Sequence, residues 1–257
     1  MNKTLKKPHN PRKRFGQNFL VDNQIINRII STINPKNNEI IVEIGPGKGA
    51  LTIPILRHLD HLNVIEIDRD LVSLLNSVQQ DKLTIFEADA LQFDFNQFPQ
   101  KIRVIGNLPY NISSPLLFHL LDFREQIIDM TFMLQKEVVD RIVATHGNKI
   151  YGRLSVMMQV FFEVESMFTV PKEWFDPQPK IESAILYLKT RTKPLAENSK
   201  LLEKIVKISF SQRRKTLKNC LKLILSQEQT KIDLSQRAEM LSVENFITLM
   251  KDYEKQN

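Results

Sequence analysis

Cysteine is nearly missing from this chain: Cys220 stands alone among 257 residues. A single thiol excludes an internal disulfide and fits a reducing compartment. Long apolar runs are missing as well, and none approaches the roughly 20 residues that cross a bilayer. The N-terminus, MNKTLKKPHNPRKRFGQ, is basic but has no apolar segment behind it, so no secretory signal is expected. No internal repeat is evident. These absences lead to the expectation of a cytoplasmic protein with no membrane contact. Its 42% hydrophobic content is ample for a buried core, and its length suits one sizeable domain and one small one.

Acid is absent from residues 1–17, where Lys3, Lys6, Lys7, Arg12, Lys13 and Arg14 give +6. Residues 200–222 carry eight cations, Arg213, Arg214 and Lys215 among them, against Glu203 alone, which gives +7. The whole chain carries +7, so the remainder is mildly acidic at −6. Two basic segments on an acidic body suit contact with a phosphate backbone, because each cation set against a phosphate releases condensed counterions. A solvated tail and a solvated helix face are the plainer alternative.

Along the chain, hydrophobic periodicity alternates. DNQIINRIISTI has isoleucines at helical spacing behind a capping Asp22. A β-branched strand at 39–45 follows, then helix 50–58, strand 62–68, helix 70–79, strands 82–89 and 101–107, helix 114–121, strand 127–134 and helix 135–144. Such alternation predicts βαβ units and an α/β fold with a mostly parallel sheet covered on both faces. Two later strand-like runs, near 157–168 and 181–189, are joined by VPKEWFDPQPK and read as an antiparallel pair added to the sheet edge. Beyond TRTKPLAENS the pattern turns helical, which predicts a domain boundary near 190.

Ligands of open α/β sheets sit beyond the carboxyl ends of the strands. EIGPGKGALT, at the end of the first strand, permits a tight turn at Gly45, Gly47 and Gly49 before a helix. It is not a phosphate loop of the Walker type, but Gly45, Gly47 and Ala50 satisfy G-x-G-x-x-A, which leaves a dinucleotide-dependent dehydrogenase open. Glu66 follows Gly45 by 21 residues, the distance at which a carboxylate accepts from ribose hydroxyls. Asp89 closes the next strand, and either a cap on the following turn or an acceptor for an exocyclic amino group suits it.

The fourth strand runs into VIGNLPYNIS. Asn107 ends it at the same rim as Gly45, Glu66 and Asp89. Pro109 fixes its own φ and holds Leu108 extended, so the Asn107 amide and the Leu108 carbonyl stand in a defined relation. Tyr110 adds a π face. Two acceptors beside a stacking surface suit the N6 amino group of an adenine taken out of its helix.

Taken together, RKRFGQNFL, EIGPGKGALT, IEID, EADAL, NLPYNIS and FDPQPKIES resemble the rRNA adenine N6-dimethyltransferases, in family order and spacing from about residue 10 onward. The resemblance implies a Rossmann-like methyltransferase domain at 1–190 with a basic arm at 1–20, and a helical RNA-binding domain at 191–257. It implies S-adenosylmethionine as cofactor, with Asn18, Leu20, Gly45, Glu66, Asp89 and Asn107 in contact with it, and no metal. Asn107, Leu108 and Tyr110 would form the target-base site, with Phe175 stacking on the opposite face. Arg12, Lys13 and Arg14 with Arg213, Arg214 and Lys215 would meet RNA. The implied activity is dimethylation of two adjacent adenines in the 3′-terminal hairpin of small-subunit rRNA, on a small-subunit precursor, by a monomer. The Leu of NLPY and the MLQKEVVDRI segment resemble that branch; a large-subunit rRNA methyltransferase of the macrolide-resistance type and a non-enzymatic assembly factor are the alternatives. Trp174 reads as a packing residue.

Overall fold

Asp22 starts the first helix chemically, its carboxylate accepting from the Ile25 N–H at 2.8 Å. The helix α1, Asn23–Ile33, buries Ile26, Ile29, Ile30 and Ile33 along one face and ends at Asn34 in the left-handed region. The structure is a computed structural model that describes residues 18–256, side chains at 78–80 excepted. Arg12, Lys13 and Arg14 therefore lie outside the described residues.

Strands β2 (Ile40–Ile44), β3 (Leu62–Glu66), β4 (Leu83–Glu87), β5 (Ile102–Asn107) and β6 (Ile127–Gln135) form the parallel body of a seven-stranded sheet. Its order is β4-β3-β2-β5-β6-β9-β7, with β7 at Phe162–Val170 and β9 at Ser183–Thr190. Helices α3 (Arg69–Gln79) and α4 (Ser113–Asp122) connect successive parallel strands. The α/β class with a mostly parallel sheet is as expected, and β9 and β7 continue the sheet past β6.

Two expectations change, and one element was not foreseen. The helix expected over 50–58 is a single turn, α2 (Thr52–Ile55), with turns on either side. Pro54 inside it has no N–H to extend the ladder. The strand expected at 157–168 begins later: Arg153–Phe161 is helix α6, and β7 starts at Phe162. In α6, Leu154, Val156, Met157, Met158, Val160 and Phe161 are all buried, so the run is apolar on every side and its period is hidden. The periodicity did not reveal a two-stranded antiparallel ribbon of β1 (Phe19–Leu20) and β8 (Phe175–Asp176), with Leu20 opposite Phe175. Strands of two residues are too short to carry a pattern.

By packing, the chain falls into two units: one comprises residues up to 136 together with 167–187, and the other 137–166 together with 188–257. A single boundary near 190 divides the chain differently, since here 137–166 groups with the C-terminal residues. In the first unit, Arg103 ties the start of β5 to its surroundings, donating to Asp129 at 2.9 Å, to Glu39 at 2.8 Å and to the Ile33 carbonyl at 2.7 Å. In the second, α7 (Ser199–Ser209) and α9 (Val243–Glu254) bury Leu202, Ile205, Val206, Phe246 and Leu249 around an aromatic group in which Phe210 meets Phe246 at 5.5 Å. Among the described residues no helix is long and apolar enough to cross a membrane.

Candidate active site

Parallel pairing brings the strand ends level. Val42 lies opposite Val104, Ile44 opposite Ile65 and Glu66 opposite Glu87. From β2 the sheet grows toward β3 and β4 on one side and toward β5 and β6 on the other, so the connections reverse there and leave a crevice beyond the carboxyl ends. A cavity opens at that place, within the first unit. Asn18, Leu20, Gly45, Glu66 and Asp89 line it together with Asn107, Leu108 and Tyr110.

The glycine turn is held from two sides. Gly47 has φ +59°, a conformation that disfavours any side chain, and a Cβ there would stand 3.1 Å from the Phe19 ring. Its N–H donates to Glu66 Oε2 at 3.3 Å, while Glu66 Oε1 accepts from the Asp68 N–H at 2.9 Å. Burial raises the Glu66 carboxyl above its usual range, against the lowering effect of the Asp68, Gly47 and Ile67 N–H groups. Each carboxylate oxygen has a second lone pair, so capacity to accept from a ligand hydroxyl remains. Asp89 Oδ1 accepts from the Leu91 N–H at 2.9 Å, so it caps the turn that follows β4. That use is compatible with lining the cavity through its second oxygen.

Asn107 is half-buried and lines the cavity. Its Nδ2 donates to the Asn18 carbonyl at 3.1 Å, which leaves an acceptor, Oδ1, as the other end of the amide. A Cβ on Gly45 would lie 3.9 Å from the Asn107 carbonyl oxygen, a measure of how near the two loops pass. The Leu108 N–H donates to the Met133 carbonyl at 3.1 Å, and the side chain is buried, so the peptide that follows is anchored. Tyr110 shares a 2.9 Å hydrogen bond with the buried Ser183 hydroxyl, which fixes the ring; burial pushes its phenol pKa up.

Two residues that matter here were not singled out in the sequence. Glu43, fully buried on β2, lines the cavity and accepts from Thr52 Oγ1 at 2.7 Å. Burial, with a smaller contribution from Glu66, pushes its carboxyl up to about 7. Gly106 lets β5 pass close to β2, since a Cβ there would meet the Ile44 carbonyl oxygen at 2.5 Å. A lone Glu in a β-branched run, and a Gly inside a strand, were the available signals.

The sequence pattern of the ribosomal RNA adenine dimethylase family matches residues 8–255. The chain belongs to this family. Among its relatives are proteins named ribosomal RNA small subunit methyltransferase A. That of Nitrosospira multiformis is 51% identical over 247 residues, 94% of this chain and 95% of the relative. That of Legionella pneumophila (strain Corby) is 54% identical over 250 residues, 95% of this chain and 98% of the relative. In structure, a dimethyladenosine transferase from Plasmodium falciparum superposes with a TM-score of 0.80 at 26% identity, covering 93% of this chain and 98% of its own. The 23S rRNA methyltransferase ErmE gives 0.72 at 25% identity, covering 92% of this chain and all of its own.

Phe175, expected to stack on a base in this dimethylase site, does not line the cavity. It is 4% exposed and belongs to the core cluster with Leu20, Met133, Val170 and Ile185. Pairing in the ribbon puts its side chain on the same face as that of Leu20, toward the core cluster. Arg213, Arg214 and Lys215 are exposed in the turn between α7 and α8 (Leu217–Leu221), where Arg213 also donates to the Lys149 carbonyl at 3.2 Å. No group of three or more His, Cys, Asp or Glu side chains suited to a metal is found among the described residues.

Proposed function

We propose that this dimethylase transfers methyl groups from S-adenosylmethionine to N6 of two adjacent adenines in the 3′-terminal hairpin of small-subunit rRNA, during maturation of that subunit. The observation that carries the reading is the meeting of the Asn107–Tyr110 segment with Gly45, Glu66 and Asp89 around one cavity. Relatives above 50% identity named for the small subunit favour that substrate over large-subunit rRNA.

The cavity suits such a cofactor on its own chemistry. The carboxylates of Glu66 and Asp89 line it, and a ligand with ribose hydroxyls and an exocyclic amine offers each a partner. Bound there, S-adenosylmethionine supplies an electrophilic methyl group on sulfur. In this reading Glu66 accepts from the ribose and Asp89 from the cofactor's adenine, with Asn18, Leu20 and Gly45 as the surrounding wall.

The remaining task is to improve a poor nucleophile. The N6 lone pair of adenine is delocalised into its ring. Asn107 Oδ1 and the Leu108 carbonyl accept the two N6 hydrogens, which favours a pyramidal nitrogen and localises the lone pair toward the methyl group. Alignment at about 3–3.5 Å supplies much of the remaining acceleration. Tyr110, held by Ser183, stacks on the base and eases the positive charge that passes onto it. The methylated nitrogen then loses its proton to water. Phe175, paired with Leu20 and outside the cavity lining, is not needed for these steps; stacking on the far face of the base would require its ring to turn out of the core.

Domain 191–257, through Arg213, Arg214 and Lys215, holds folded RNA by its phosphates, and Arg12, Lys13 and Arg14 of the arm do the same beside the methyltransferase domain at 1–190. We take the enzyme to act as a cytoplasmic monomer. Incubation with methyl-labelled cofactor and undermethylated small subunits, followed by nucleoside analysis, tests the reading. N6,N6-dimethyladenosine at two adjacent positions is expected. Binding of the particle without transfer would instead support an assembly factor.

A further inference from the structure

The chain's one tryptophan is not a packing residue. Trp174 is 40% exposed, and its neighbour across the ribbon, Val21, is 56% exposed. The register explains both. Leu20 pairs with Phe175 and both point into the core, so the residues one step along, whose backbones join through the Val21 N–H and the Trp174 carbonyl at 2.9 Å, turn to the outer face. Phe19, on that same face by alternation, lines the cavity and lies under the Lys48 ammonium, 4.4 Å from its ring centroid. The outer face of the ribbon thus carries Phe19, Val21 and Trp174 together with the exposed Asp176, and Phe19 joins it to the cavity wall.

We propose that Trp174 is a stacking platform for the nucleotide next to the target adenine, and so a positioning residue for the RNA strand. The inference rests on the function proposed above. That substrate presents two neighbouring adenines, and the site has a single acceptor pair at Asn107 and Leu108. The two bases are therefore methylated in turn, and the one that waits lies outside the cavity. A base needs a flat apolar surface there, and the exposed Trp174 with Val21 beside it offers one, since every base has a π face. The residues flanking Trp174 are Glu173 and Phe175, and Asp176 stands exposed beyond them. Those carboxylates disfavour a phosphate at this spot and leave the ring as what the surface offers.

The test compares Trp174→Ala, Trp174→Phe and Trp174→Leu, measuring kcat/KM for methyl transfer to undermethylated small subunits and cofactor affinity by calorimetry. Loss of one stacked base predicts a fall of about fivefold or more in kcat/KM for the Ala variant, carried mainly by KM for the particle, with cofactor affinity unchanged. Phe should recover most of the loss, whereas Leu, apolar but without a ring, should not. Wild-type kinetics in the Ala variant, rescue by Leu equal to that by Phe, or a parallel loss of cofactor affinity would each overturn the proposal. If Ala impairs folding, the contrast between Phe and Leu decides it alone. Failure of the parent reading shows separately, as absence of methyl transfer by the unaltered chain.

Discussion

Adding one methyl group at Gly106 should disturb the site more than its size suggests. A Cβ on Gly106 would lie 2.5 Å from the Ile44 carbonyl oxygen and 3.1 Å from Leu108 Cδ2. The first of these is backbone of the neighbouring strand, so no rotamer relieves it. Real Cβ contacts begin at 3.0 Å and become ordinary at 3.4 Å, so β5 must move from β2 by about 0.5–0.9 Å. Overpacking of this kind costs about 1–3 kcal/mol. For a chain of this length that lowers Tm by roughly 2–4 °C per kcal/mol. Asn107 is the next residue and the last of β5, so it moves with the strand and away from the glycine turn. A misplacement near 1 Å reduces rate by about 10²-fold. We therefore expect Gly106→Ala to lose ten- to a hundredfold in kcat for methyl transfer to undermethylated small subunits, with a lower Tm and a smaller change in cofactor affinity. A variant with the wild-type melting curve and wild-type kcat would refute the claim that close passage of β5 and β2 sets the position of Asn107.

Four further outcomes are expected. Asn107→Ala should lower kcat by about 10²-fold or more, the scale of losing one aligned polar group, while particle affinity changes little; equal losses in both would count against its assigned role. Glu43 is raised from 4.5 to about 7 in the folded chain, so the native state holds a proton that the unfolded state has released. Its contribution is then full below about pH 4.5 and is lost as pH rises through 7, a decline of about 3 kcal/mol, and denaturant melts of Glu43→Gln at pH 5 and pH 8 should lack that part of the slope; identical pH dependence in the two proteins would contradict it. Phe175→Ala should cost about 3–5 kcal/mol of stability as a core truncation, and loss of transfer at an unchanged Tm would restore a role in the site. Replacing Arg213, Arg214 and Lys215 together by Ala should weaken particle binding and make its log–log salt dependence shallower by about 2–3 units, and an unchanged slope would mark the three charges as merely solvated.

The alternation of apolar runs was enough to derive the parallel sheet, because strands buried on both faces must be continuously apolar and a parallel crossover needs a helix. The same logic put Gly45, Glu66, Asp89 and Asn107 at one rim, since residues ending parallel strands are level whatever the loops do. Where sequence fell short, the signal was local and the decision was not. The apolar run 154–161 fits a helix or a strand equally well by its pattern, and burial on all sides determines which one forms. Trp174 and Phe175 are adjacent aromatics with no difference in composition to set one inside and the other out. Pairing of Phe175 with Leu20, more than 150 residues earlier, decides that, and so decides which ring packs the core and which faces solvent. The closeness of Gly106 to Ile44 and the proton on Glu43 likewise belong to neighbouring strands and to exclusion of water. Sequence alone determined the fold class and the residues at the strand ends; tertiary structure decided which side chains face the cavity, because facing is a property of pairs of segments far apart in the chain.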